Sequence, residues 1–164
     1  MKKEIASQYR AALKMLGSVI SRCPEDLWND TSYKNRYWQI AYHTLHYTLL
    51  YLSENEDAFI PYNNHISGYH ILGQELETEQ SRTYIPGFSK EDLLGYLTKI
   101  SSAVERHMEK QDLTAPSGFE WLLMNRFELH LYNIRHIQHH TAQLIERLHQ
   151  NGIEGIAWVD TDAG

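Results

Sequence analysis

From Tyr37 onward the chain carries a stretch that is apolar on nearly every side. Trp38, Ala41, Tyr42, Leu45, Leu49 and Leu52 follow the three-four spacing of one helical face, while Ile40, His43, Tyr47, Leu50 and Tyr51 occupy another. A helix without a polar face must sit in the middle of a bundle or at an interface. The pattern predicts a helix over residues 37–57, and everything else in the chain has to be arranged around it.

Three more helices are legible. Ile5, Tyr9, Ala12, Leu13, Leu16, Val19 and Ile20 form an amphipathic stripe that ends near Arg22, because Pro24 disfavours helical geometry in Cys23. Asn29, Asp30, Thr31 and Ser32 read as loop. A third helix opens at Ser89, with Asp92 at capping-box spacing, and runs through Leu93, Leu97, Ile100, Val104 and Met108 to about Gln111. A fourth starts at Arg126, with Asn125 as N-cap, and ends at Asn151-Gly152. Residues 61–88 form a long connection holding Pro61, Gly68, Gly73, Pro86 and Gly87, with a short helix expected around Ile71 to Glu77. The tail is expected to pack through Ile156, Trp158 and Val159. The expected fold is all-α, an antiparallel four-helix bundle with a long connection between its second and third helices.

With 164 residues and no linker-like division, a single domain over residues 1–164 is expected. A formal charge of −6 with scattered Lys and Arg gives no reason to expect nucleic acid as a partner. No apolar run is long enough for a membrane span, and no membrane partner is expected. The one cysteine, Cys23, excludes an intrachain disulfide and points to a reducing, cytoplasmic setting. Because a monomer covers only one side of the second helix comfortably, a homodimer burying Ile40, Leu50 and Tyr51 is expected.

The chain has ten histidines, and two of them, His136 and His140, lie one helical turn apart. Residues four apart share a helical face, so both imidazoles can reach one metal ion, with a third ligand needed from His43 or His46 on the second helix. The competing reading is a pair of half-buried histidines hydrogen-bonded to tyrosine or backbone. His139 projects among Glu128, Arg135 and Glu146 and is left out of the site. His107 reads as a hydrogen-bonded core residue, and His65, His70, His130 and His149 as solvated. A zinc-protease helix is excluded because Ile137 stands where that motif places its glutamate. There is no nucleophile elbow, phosphate loop, dinucleotide glycine pattern or cysteine pair.

The stretches Trp38-Gln39-Ile40-Ala41-Tyr42-His43-Thr44-Leu45 and Tyr132-Asn133-Ile134-Arg135-His136-Ile137-Gln138-His139-His140-Thr141-Ala142-Gln143-Leu144 resemble those of the DinB/YfiT-like superfamily of metal-binding four-helix-bundle proteins. The resemblance spans essentially the whole chain. It implies a divalent metal ion held by one histidine of the second helix and the His-x-x-x-His pair of the fourth. Matched residue by residue, the pair falls on His136 and His140. The Ala-Tyr-His-Thr-Leu context places the remaining ligand at His43, with His46 then lying behind it; counting from a tryptophan that precedes the family's ligand histidine gives His46 as the alternative.

Zinc, nickel and iron all suit such a donor set. Three neutral imidazoles leave open coordination positions, as catalytic sites do. Some proteins similar to this family use low-molecular-weight thiols as cosubstrates, so the resemblance implies a metal-dependent enzyme that activates a thiol for transfer to an electrophile. The alternatives are a metal-dependent hydrolase and a noncatalytic dimeric metal- or ligand-binding protein. Arg82, Lys90, Arg126 and Arg135 are the cations available for a cosubstrate pocket, and Tyr47, Tyr132 and Gln143 are the groups available to orient ligands. Ordinary imidazole pKa values of roughly 6.5 predict metal affinity that falls away below about pH 6.

Overall fold

The computed structural model describes residues 1–73 and 87–162. Among these the chain is all-helical, with α1 (Lys2–Arg22), α2 (Glu25–Trp28), α3 (Tyr37–Leu52), α4 (Lys90–Lys110) and α5 (Arg126–Gln150). α1 and α3 each pack against both α4 and α5 and touch one another only slightly. The predicted stripe of α1 is buried, as are Leu93, Ile100, Val104 and Met108 of α4.

The helix ends follow local chemistry. Ser89 Oγ accepts from the Asp92 amide at 3.1 Å while the Asp92 carboxylate accepts from the Ser89 amide at 3.2 Å, so both halves of the capping box are made. The Asn125 side chain accepts from the Glu128 amide at 2.9 Å and opens α5. At the far end of α5, Gly152 takes φ +74°, and its amide and that of Ile153 close onto the His149 and Leu148 carbonyls.

Two helix features depart from expectation. α3 stops at Leu52 instead of Asp57. Glu54, Glu56 and Asp57 would bring negative charge to the carbonyl end of the helix, which the helix dipole opposes. The chain turns out at Ser53 instead, and Arg126 donates to the Ser53 carbonyl at 2.8 Å and also to that of Glu54. The single turn of α2 interrupts the connection expected after Arg22, with Trp28 buried and its indole N–H donating to the Phe88 carbonyl at 2.9 Å. The expected short helix around Ile71 to Glu77 falls largely on residues 74–86, outside the described residues. In the tail, Ile156 packs on the core, whereas Trp158 is exposed.

α3 is as central as its pattern demands, for every residue of it except His43 and Tyr47 is buried. Its second apolar side is covered from within the chain: Leu50 and Tyr51 pack with Phe119 and Leu129, flanked by Leu122, Met124 and Tyr132. The segment between α4 and α5 is held down by the Ser117 and Arg126 amides, which bond to the Met124 and Ala115 carbonyls at 2.9 Å each. Gly118 permits this close approach, with φ +88° and a position where a Cβ would lie 1.9 Å from the Glu54 carbonyl oxygen. Ile40, Leu50 and Tyr51 are therefore buried in the isolated chain, which removes the argument for a homodimer. None of the helices among the described residues is long and apolar enough to cross a membrane.

Candidate metal centre

His43 and Tyr47, the two α3 residues short of full burial, are one turn apart, and α5 lies against that face. The register between the helices is fixed by buried Asn133, whose side-chain amide donates to the Thr48 carbonyl at 3.1 Å. This alignment brings His43 opposite His136 and His140. Their ring centroids lie 5.2 Å (His43 to His136), 4.6 Å (His43 to His140) and 4.6 Å (His136 to His140) apart. One nitrogen from each lies within 4.8 Å of the others. Nitrogens on a tetrahedral ion with bonds of about 2.1 Å stand roughly 3.4 Å apart, so small rotations close the group on a cation.

The remaining nitrogens are arranged to aim this set. His43 Nδ1 lies 2.6 Å from the His70 carbonyl oxygen, and His140 Nδ1 lies 2.8 Å from the Gln143 side-chain oxygen. Both oxygens only accept, so each Nδ1 carries the proton and each Nε2 presents a lone pair. Hydrogen bonds of this kind set the tautomer and orientation of metal-binding imidazoles. His136 Nε2 approaches His43 Nε2 at 3.2 Å, while His136 Nδ1 is buried without a partner. His136 Nε2–H donates to the His43 lone pair; with that proton moved to Nδ1, the Nε2 lone pairs of both rings would face one cation, so the donor set fits a divalent metal.

Burial sets the protonation state. Desolvation lowers the His43 pKa to about 4 and that of His136 to about 3, and it lowers that of His140; neighbouring imidazoles push in the same direction. The three rings are therefore neutral near pH 7 and need not lose a proton to coordinate. This displaces the expected loss of affinity from about pH 6 to more acidic conditions.

His46, the alternative ligand, points away from the group and stacks on His70 at 4.2 Å. His139 is exposed, as expected, and His107 lines a cleft with Glu54 and Arg126. Three residues expected to be solvated are not. His130 is fully buried, and His65 and His70 are half-buried against His46 and Tyr42. Of the groups named as orienting residues, Gln143 bonds His140, Tyr47 packs on His43 at 4.8 Å, and Tyr132 lies against Tyr51. The His70 carbonyl was missed, because a backbone acceptor in a loop leaves no mark on side-chain periodicity.

The cations named for a cosubstrate pocket are engaged elsewhere. Arg126 holds the end of α3, Lys90 pairs with Glu25 at 3.3 Å, and Arg135 lies over the Tyr132 ring, while Arg82 is outside the described residues. A different cleft, of about 580 Å³, borders the site; its walls include Ile40, Leu72, His139, Gln143 and Arg147. Cys23 is buried, and desolvation pushes its thiol up to about 12, so it is no nucleophile at neutral pH. Comparison of the chain with protein-family models, curated proteins and solved structures returned no significant match.

Proposed function

We propose that this chain is a divalent-metal protein of the DinB/YfiT-like kind, an antiparallel four-helix bundle whose His43, His136 and His140 hold a zinc, nickel or iron ion that activates a low-molecular-weight thiol for attack on an electrophile. The observation that carries the reading is the convergence of three neutral imidazoles from α3 and α5, two of them with their Nδ1 protons committed to carbonyl oxygens. Held by these three residues, a divalent ion would supply the charge that lowers the pKa of a coordinated thiol. The His70 carbonyl and Gln143 keep two ligand rings aimed, and Tyr47 walls the side of His43. The cleft bordered by Gln143 and Arg147 is where the cosubstrate would lie. The thiolate sulfur would form the new bond to the electrophile as the electrophile's leaving group departs with its electron pair or, in an addition, as the π bond opens and takes a proton from solvent, the thiol's own proton having passed to solvent.

Two features favour an exogenous thiol over the alternatives. Cys23 is withdrawn into the core. No carboxylate joins the three histidines among the described residues, so hydrolysis by a metal-bound water lacks an obvious general base there. Titrating small thiols into nickel-loaded protein tests the reading, through ligand-to-metal charge transfer and proton release. Because the imidazoles are already neutral, metal loading near pH 7 should release almost no protons, and the release should come with the thiol. Metal binding without any response to thiols would leave a hydrolytic or noncatalytic metal protein.

A further inference from the structure

A second group of imidazoles lies beside the first, around His46, three residues along α3 from His43. His46 projects from the helix into the connection that follows it, where His65 and His70 close over it. The His46 and His70 rings stack at 4.2 Å, His46 and His65 at 5.2 Å, and one nitrogen from each of the three lies within 4.8 Å of the others. We propose that His46, His65 and His70 form a second metal site, for a divalent transition ion that takes imidazole nitrogen, separate from the site between α3 and α5.

The nitrogens that lack partners point to this use. Nδ1 of His46 and Nδ1 of His70 are both buried with no hydrogen bond. Buried polar atoms in folded proteins nearly always have partners, and two orphans in one cluster of imidazoles mark a missing ligand. His65 is already braced, since its Nδ1 lies 2.6 Å from the Tyr42 hydroxyl. With Nδ1–H donating to that oxygen, Nε2 of His65 is the free donor. A purely structural aromatic cluster accounts for the near-parallel stacking at 19° and 27°, from which the rings would have to rotate to ligate, but not for the two unsatisfied nitrogens.

The donor set is also chemically selective. Three imidazoles without a carboxylate suit zinc, copper or nickel and not the oxygen-seeking calcium or magnesium. Half-burial of His65 and His70 leaves the ion a route from solvent. The backbone carbonyl of His70 accepts from His43 Nδ1, so one loop residue would serve both centres, its side chain in the second and its main chain in the first. This makes His65, which has no tie to the first centre, the residue of choice for a test.

Metal-free full-length protein without an affinity tag would be titrated with zinc against a chromogenic chelator. The wild type should bind two ions, His65→Ala one, and the double variant His136→Ala/His140→Ala one. The double variant should also develop a cobalt d–d spectrum that disappears when His65→Ala is added, with helical circular dichroism as the folding control. The two centres fail distinguishably. A single ion lost in His136→Ala but kept in His65→Ala overturns the second site and leaves the first. A single ion lost in His65→Ala but kept in His136→Ala supports the second site and sinks the first. A wild type that binds a single ion, lost in both variants, would mean one shared centre and would overturn the proposal, as would two ions retained in folded His65→Ala. Should the double variant prove unfolded, the comparison of wild type with His65→Ala decides.

Discussion

His130 and the pair His136 and His140 belong to one helix and are all withdrawn from water, yet they are built for opposite purposes. His130 Nδ1 meets the Tyr9 hydroxyl at 3.0 Å and its Nε2 meets Gln111 Oε1 at 2.8 Å, so both nitrogens are used inside the fold. Gln111 in turn donates to the Leu52 carbonyl at the end of α3, which makes His130 a tie between helices. A few turns on, His136 and His140 turn nitrogens toward one another and toward His43, with hydrogen bonds on the outer edges of two of the three rings. Burial does not distinguish a structural histidine from a ligand. What distinguishes them is whether the ring nitrogens meet other protein groups, as in His130, or are turned toward one another, as in His43, His136 and His140.

The contrast breaks most sharply on ligand removal. His136→Ala or His140→Ala should abolish stoichiometric metal binding at the first centre, and His43→Ala should do the same, whereas His130→Ala should leave metal content unchanged. Elemental analysis of each folded variant after zinc loading and desalting reads this directly. A His130 variant stripped of metal, or a His136 variant that keeps its full complement at this centre, would erase the distinction.

Acid should act on both regions alike in the metal-free protein. Desolvation holds His43 and His130 at about 4 and His136 at about 3. Each imidazole thus binds fewer protons folded than unfolded between these values and the ordinary value of roughly 6.5. Their contribution is complete above that upper limit and is lost as pH falls toward the folded values, so the apo melting temperature should decline through this window. Proton uptake on unfolding near pH 5 should fall by about one in either His130→Ala or His136→Ala. Zinc should stay bound to lower pH than ordinary imidazoles allow, because burial lowers the pKa of all three ligand rings. An apo stability that is flat from pH 6.5 to 4 would mean that water reaches these rings.

The structural histidine should declare itself in stability. His130→Ala leaves the buried Tyr9 hydroxyl and the Gln111 side chain without their partner, a loss of about 1–3 kcal/mol before any cavity is counted. A melting temperature lower by roughly 2–12 °C is expected for a domain of this size. A shift within error would show that water replaces the ring.

How far each histidine could be read from the chain follows from the same contrast. That His136 and His140 face one side was legible because helical spacing puts both on one face, and the structure brings His43 opposite them. The capping residues Ser89 and Asn125 were legible for a similar reason, since caps are set by neighbours within three positions. His130 read as solvated because its partners, Tyr9 on α1 and Gln111 just after α4, are far away in sequence. His65 and His70 lie in a connection without periodicity, so nothing in their spacing shows that they fold back on His46. The early end of α3 depends partly on Arg126, more than seventy residues on. Local rules reach local structure, and the pairing of distant polar groups has to be seen.

The finest test of the comparison is Gln143→Leu. Gln143 touches no metal position; its side-chain oxygen accepts the Nδ1 proton of His140 at 2.8 Å. His130 is held by a buried donor and acceptor, but Gln143 is exposed, so water can take over its hydrogen bond. Removing such an outer partner costs about 10–100-fold in metal affinity in general, and the exposure places this case near the tenfold end. The melting temperature of the apo protein should not move, because His140 keeps its place on the buried side of α5. Competition titration with a chelator would show the tenfold change, and His149→Ala, at the exposed end of α5, is the control that should show none. An unchanged affinity in Gln143→Leu would mean that packing against His43 and His136 aims the His140 ring. A smaller loss in His139→Ala would show that this exposed imidazole, 3.4 Å from Gln143 Nε2, helps to hold Gln143 against His140.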